Sequence, residues 1–117
     1  MSAALVFALL LAANASDVFI ASEDVNWART PTEEEMASFF PHINAWTGEA
    51  SVELVCVVGP DGMLNGCEVV AAAPDNLAFA RATLNVAKRF RMQPTTRSGR
   101  PSAGLKVRLP IRWQAPD

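Results

Sequence analysis

Two cysteines flank one tight turn in VELVCVVGPDGMLNGCEVV, Val52 to Val70, and the chain has no others. Cys56 and Cys67 could close a disulfide, help to hold a metal, or carry out thiol exchange, and the residues around them narrow the choice. There is no CxxC spacing, and the single histidine, His42, follows a proline in a loop ahead of the hairpin. Metal and redox chemistry are therefore disfavoured. An oxidised pair and two buried free thiols remain, and the placement of the sulfurs by their strands bears on which is correct.

Val52 to Val58 and Leu64 to Val70 each alternate around one charge, Glu53 and Glu68, which mark the wet faces. Counting in twos puts Cys56 on the face opposite Glu53 and Cys67 on the face opposite Glu68, so both thiols point to the buried side. Gly59-Pro60-Asp61-Gly62 supplies the turn, with proline presetting φ and glycine accepting a left-handed conformation. A three-residue loop would set Cys56 against Gly66, so facing Cys67 requires a longer loop or a bulge near Asn65–Gly66. In that register a disulfide closes a loop of about twelve residues, worth about 3 kcal/mol in the chain-entropy model.

Helices flank the hairpin. RTPTEEEMASFFP opens a short one over about 31–40: Thr30 suits the N-cap, Pro31 the first position and Glu33 the capping box, while Thr32 and Glu35 offer the same box in a shifted register. Three glutamates in the first turn complement the helix dipole, which makes them a helix start rather than a metal site. Met36, Phe39 and Phe40 form the apolar side, and Pro41 stops it. After a cap at Pro74-Asp75, NLAFARATLNVAKRFRM predicts a long helix whose Leu77, Phe79, Ala80, Thr83, Leu84, Val86, Ala87 and Phe90 share one side. The cations Lys88, Arg89 and Arg91 suit its C-terminal end.

LKVRLPIRW, Leu105 to Trp113, alternates throughout, with Leu105, Val107, Leu109, Ile111 and Trp113 inward and Lys106, Arg108, Pro110 and Arg112 outward. Proline cannot donate to a ladder, so this strand belongs at a sheet edge with residue 110 on the unpaired side, or at a bulge. The element order predicts an α+β fold: a three-stranded antiparallel sheet with a long helix on one face, β-β-α-β, plus a short N-terminal helix.

With 117 residues, half of them hydrophobic, and a net charge of −2, the chain is one ordinary globular domain. The apolar run Ala3 to Ala13 leads into Ala13-Asn14-Ala15, which predicts a signal peptide over 1–15. As a helix the run reaches only ~16 Å against a ~30 Å hydrocarbon core; an uncleaved anchor and a buried helix are the alternatives. Export implies an oxidising compartment, which favours the disulfide. Residues 16–49 then form a leader carrying the short helix, and 50–115 the main domain. Eleven of twelve acidic residues lie at or before Asp75 and nine of ten basic residues after it. The basic half could serve an anionic partner, but the favoured reading is that the two halves face each other within one fold, and nucleic acid is an unsuitable partner. No GxSxG, P-loop or HExxH pattern is present, so no enzyme, catalytic residue, cofactor or metal is expected. Trp27, Trp46 and Trp113 read as packing groups.

Taken together, the strand–PDG turn–strand segment, the ATLNVAKRFRMQP helix end, the glycine of Ser98-Gly99-Arg100-Pro101 and the closing VRLPIRW resemble the C-terminal domain of TonB-type periplasmic proteins. The resemblance spans Ala50 to about Gln114, and the cysteines beside the turn look like those of an exported, disulfide-bearing subgroup. It implies a periplasmic binding module that grips an extended segment of an outer-membrane receptor by strand addition, in TonB-dependent transport. Lys106, Val107, Arg108, Leu109 and Ile111 would then supply main-chain bonds and flanking contacts. The other role considered is a stand-alone envelope protein that self-associates as a homodimer through an edge strand, without energy transduction. Membrane attachment, facing the periplasm, is implied only if the first segment stays uncleaved.

Overall fold

The computed structural model describes residues 18–41 and 48–114; the expected export segment, His42 and Trp46 lie outside the described residues. Three long strands form the main sheet: β2 (Glu49–Val58), β3 (Leu64–Ala73) and β5 (Lys106–Gln114), antiparallel and in the order β3-β2-β5. The expected α+β architecture is therefore the one adopted. Alternate residues of β2, from Ala50 to Val58, are buried with Val107, Leu109, Ile111 and Trp113 of β5. Their single wet-dry alternation follows from covering only one face of the sheet. The cover is α2 (Leu77–Val86), which contributes Phe79, Ala82, Thr83 and Val86 to the core.

The boundaries of α2 differ from expectation. Its N-cap is Asn76 rather than Asp75: the Asn76 side-chain oxygen accepts from the Ala78 amide at 2.8 Å. Leu77, placed on the apolar side by periodicity, is instead 64% exposed, at the first position of the helix. The helix gives way to a 3-10 turn at Ala87–Arg89, and Arg91–Met92 is extended as β4. Tertiary pairing overrides helical pattern here. A strand unseen in the sequence, β1 (Trp27–Arg29), pairs with β4, and the Trp27 ring packs on Phe90 with centroids 4.9 Å apart. The short first helix, α1, runs over Glu33–Phe39, and its capping box uses Thr32 and Glu35 rather than Thr30 and Glu33. Phe40 just beyond it sets its ring edge against Phe79 and Trp113, at 5.7 and 6.2 Å.

Trp113 anchors β5 under α2. Its indole donates from Nε1 to Thr83 Oγ1 at 2.9 Å, and that hydroxyl donates to the Phe79 carbonyl at 2.7 Å, all within the core. Thr83→Val keeps the shape but leaves the indole N–H with no acceptor, so urea denaturation should show a loss of about 1–3 kcal/mol, with Thr83→Ser largely spared.

Glu35 ties the acidic and basic halves together. Its carboxylate takes the Thr32 amide at 3.0 Å, a two-pronged contact from Arg29 at 3.0 and 2.8 Å, and Arg89 Nε at 3.7 Å. The Thr32 amide first, then the Arg29 guanidinium, hold the carboxyl below the ordinary carboxylate value of 4.5. A depressed folded-state pKa stabilises the fold above the unfolded value and ceases to do so as pH falls through the folded one. Stability should accordingly decline on acidification below that value, and Glu35→Gln should be less stable near neutrality yet lose less on acidification, as measured by denaturation at about pH 7 and about pH 3.

The hairpin turn is joined to β4. Gly62, at φ +86°, offers its carbonyl to the Met92 amide at 2.8 Å, and Arg91 Nε donates to the Asp61 carbonyl at 3.0 Å. A Cβ on Gly62 would collide with the Met92 carbonyl, so both the backbone angle and the close approach require glycine.

Candidate functional site

Cys56 and Cys67 form a disulfide. The register that permits it is the bulged one: Val55 faces Glu68 and Val57 faces Asn65, leaving Gly66 and Cys67 together opposite Cys56. Gly66 adopts φ +58°, the left-handed angle that a glycine bulge needs. Cys56 is fully buried and Cys67 partly, so the bridge staples the hairpin against the core. A second irregularity lies between Glu53 and Leu54, and beside it Val69 and Val70 of β3 are 40% and 49% exposed. The regular alternation expected for this strand is lost there.

β5 occupies the opposite margin. Antiparallel pairing runs without a break from Glu49 against Gln114 to Val57 against Lys106, and Glu53 faces Pro110. Successive residues direct their backbone polar groups to alternate sides of a strand. Lys106 turns its groups outward: its amide donates to the Val18 carbonyl at 2.7 Å, and its carbonyl accepts from the Ile20 amide at 2.9 Å. Arg108, Pro110 and Arg112 share that parity. Pro110 therefore stands on the unpaired side and removes no bond from the ladder to β2. Of the five residues named from the sequence, Lys106 and Arg108 present backbone groups and exposed side chains to the outside. Val107, Leu109 and Ile111 turn their backbone groups to β2 and their side chains into the core.

Sequence reasoning missed the segment beside this edge. Val18–Ile20 lies parallel to β5, bridging at Phe19 and Lys106, and the only sequence signal was a β-prone Val-Phe-Ile triplet in an otherwise aperiodic leader. Ile20 is buried, while the Phe19 ring lies 4.6 Å from the Arg108 guanidinium and 5.9 Å from Lys106 Nζ. Arg100 donates to the Phe19 carbonyl at 3.1 Å. Between this segment and the continuing edge runs a groove of about 500 Å³, with Ile20, Val25, Trp27, Phe90, Arg108 and Pro110 among its walls. Asp24 fixes the leader at its other end, accepting from the Ser98 amide at 2.7 Å and the Ser98 hydroxyl at 2.8 Å. Desolvation raises the Asp24 pKa, but these bonds outweigh it and keep the carboxyl below its ordinary value. Among the described residues no cluster of three or more potential metal ligands occurs.

A small α+β sheet with one helix on its face thus carries an apolar groove beside an outer strand whose free edge is bonded at only one position among the described residues. The family described as Gram-negative bacterial TonB protein C-terminal matches residues 40–115, and the chain belongs to that family. Domains of this family are periplasmic, take part in TonB-dependent transport and interact with proteins such as outer-membrane receptors. No curated protein matches the chain.

Proposed function

We propose that this protein is a periplasmic binding module that recognises an extended segment of an outer-membrane TonB-dependent receptor by strand addition at the outer edge of β5. The observation that carries the reading is the outward row of backbone groups from Arg108 to Arg112, bonded to nothing among the described residues. Lys106 opens that row and is bonded to the leader. Val107, Leu109 and Ile111 hold the strand straight from behind. With two donors in the row, at Arg108 and Arg112, and about 1 kcal/mol net per hydrogen bond, less the cost of association, the interaction is micromolar or weaker.

Titrating a receptor-derived extended peptide into the isotopically labelled full chain tests this, with amide shifts concentrated at 106–112. Unmoved amides along 105–113 would sink it. Arg108→Pro removes an outward donor and places a ring where the incoming strand must lie, while leaving every bond to β2 in place. It should weaken peptide binding at least tenfold with little change in denaturation midpoint, whereas Leu109→Pro should unfold the edge.

Self-association is a second reading, supported by Val69 and Val70 exposed on the opposite outer strand. Sedimentation at micromolar concentration separates the two, since a monomer excludes it.

A further inference from the structure

The contact between the leader and β5 has the form of a bound ligand. Val18–Ile20 adds to the edge as a short parallel strand, one carbonyl accepting from the Lys106 amide and one amide donating back to the Lys106 carbonyl. Its side chains alternate in the manner of a docked strand: Ile20 enters the core at 4% exposure, and Phe19 turns the other way, over the guanidinium of Arg108. The aromatic face attracts both cations beside it, Lys106 and Arg108, and Arg100 holds the Phe19 carbonyl.

A backbone amide has one proton to donate. An incoming strand that starts at Lys106 therefore cannot share that position with the leader, and the two must exclude each other. We propose that Val18–Ile20 is a cis ligand of the β5 edge, displaced when a partner binds, and that the favoured partner is an extended segment with an aromatic residue set over Arg108 followed by an aliphatic one. This rests on the docking role proposed above. The leader is covalently tethered and so acts at a high effective concentration, which keeps the apparent affinity of a free segment low. Weakening the leader's hold raises that affinity by the same factor, up to the point where the leader no longer occupies the edge.

Phe19→Ala is the discriminating variant, because it removes the contact with the cations while leaving Ile20 in the core. Two probes are titrated into the full-length wild type and this variant: a synthetic peptide of the leader itself, DVFIASEDV, and a receptor-derived extended peptide. The leader peptide should bind the variant about two- to fivefold more tightly than the wild type, the range expected for one exposed cation–π contact. Binding of either peptide should shift the Ile20 and Lys106 amides and speed hydrogen exchange of the Ile20 amide. Arg108→Ala, added to the variant, should cancel most of the leader peptide's gain.

If the receptor peptide shifts residues 108–112 with equal affinity in both proteins and leaves Ile20 and Lys106 unmoved, the leader is no competitor and the inference falls, although docking stands. If the leader peptide displaces its tethered copy but the receptor peptide binds neither protein, the cis ligand stands and the receptor reading falls. If neither peptide binds either protein, both are overturned.

Discussion

Replacing Cys56 and Cys67 together with alanine is expected to lower stability by about 3 kcal/mol, and with it the melting midpoint by on the order of 10–20 °C. The bridge closes a short loop whose freedom the unfolded chain would otherwise retain. Its effect is large because a domain of this size has only ~5–15 kcal/mol of net stability in total. Denaturation with and without reductant checks the origin of the effect: reductant should weaken the wild type and leave the double variant unchanged. A small further loss should come from Cys56, whose fully buried side chain leaves a gap when trimmed. The same bridge pins the bulge at Gly66, so the double variant should also show faster amide exchange around Asn65–Glu68.

Trp113→Ala should cost about 3–5 kcal/mol, comparable to the loss of the disulfide or greater. The indole is 2% exposed, donates to Thr83 and meets the edge of the Phe40 ring, so its removal empties the space where β5, α1 and α2 converge. Trp113→Phe should recover part of the loss through packing, but not the hydrogen bond. Urea denaturation gives the magnitude, and hydrogen exchange should place the damage first at the end of β5, around Arg112–Gln114. Because that end adjoins the proposed docking row, peptide binding should weaken in Trp113→Ala even under conditions where the domain remains folded.

Much of this was legible in the sequence where one physical rule acted alone. Residues 105–113 alternate because one face of β5 meets the core and the other meets water, and Pro110 fits because its parity sends the missing N–H outward. The cysteine pairing was half legible: counting faces brought both sulfurs to one side, but only the Gly66 bulge brings them opposite each other, and nothing local decides between a bulge and a longer loop. Elements made by distant contact were not legible. β1 and β4 are three and two residues long, too short for any period, and owe their extension to Trp27 on Phe90 and to the hydrogen bonds between them. For the same reason the leader's place on β5 could not be read. Leu77 was misassigned because periodicity gives the direction of a side chain but not the extent of the surface beneath it.

The junction at Gly62 bears on how the molecule comes apart. It joins the tip of the hairpin to the strand that follows α2, segments some thirty residues distant in the chain. Neither can fray without exposing the other, so hairpin and helix should behave as one cooperative unit instead of two separable foldons. The amides of Gly59, Gly62 and Met92 should then exchange at one common rate set by a shared opening, and a larger residue at position 62 should split that event into two.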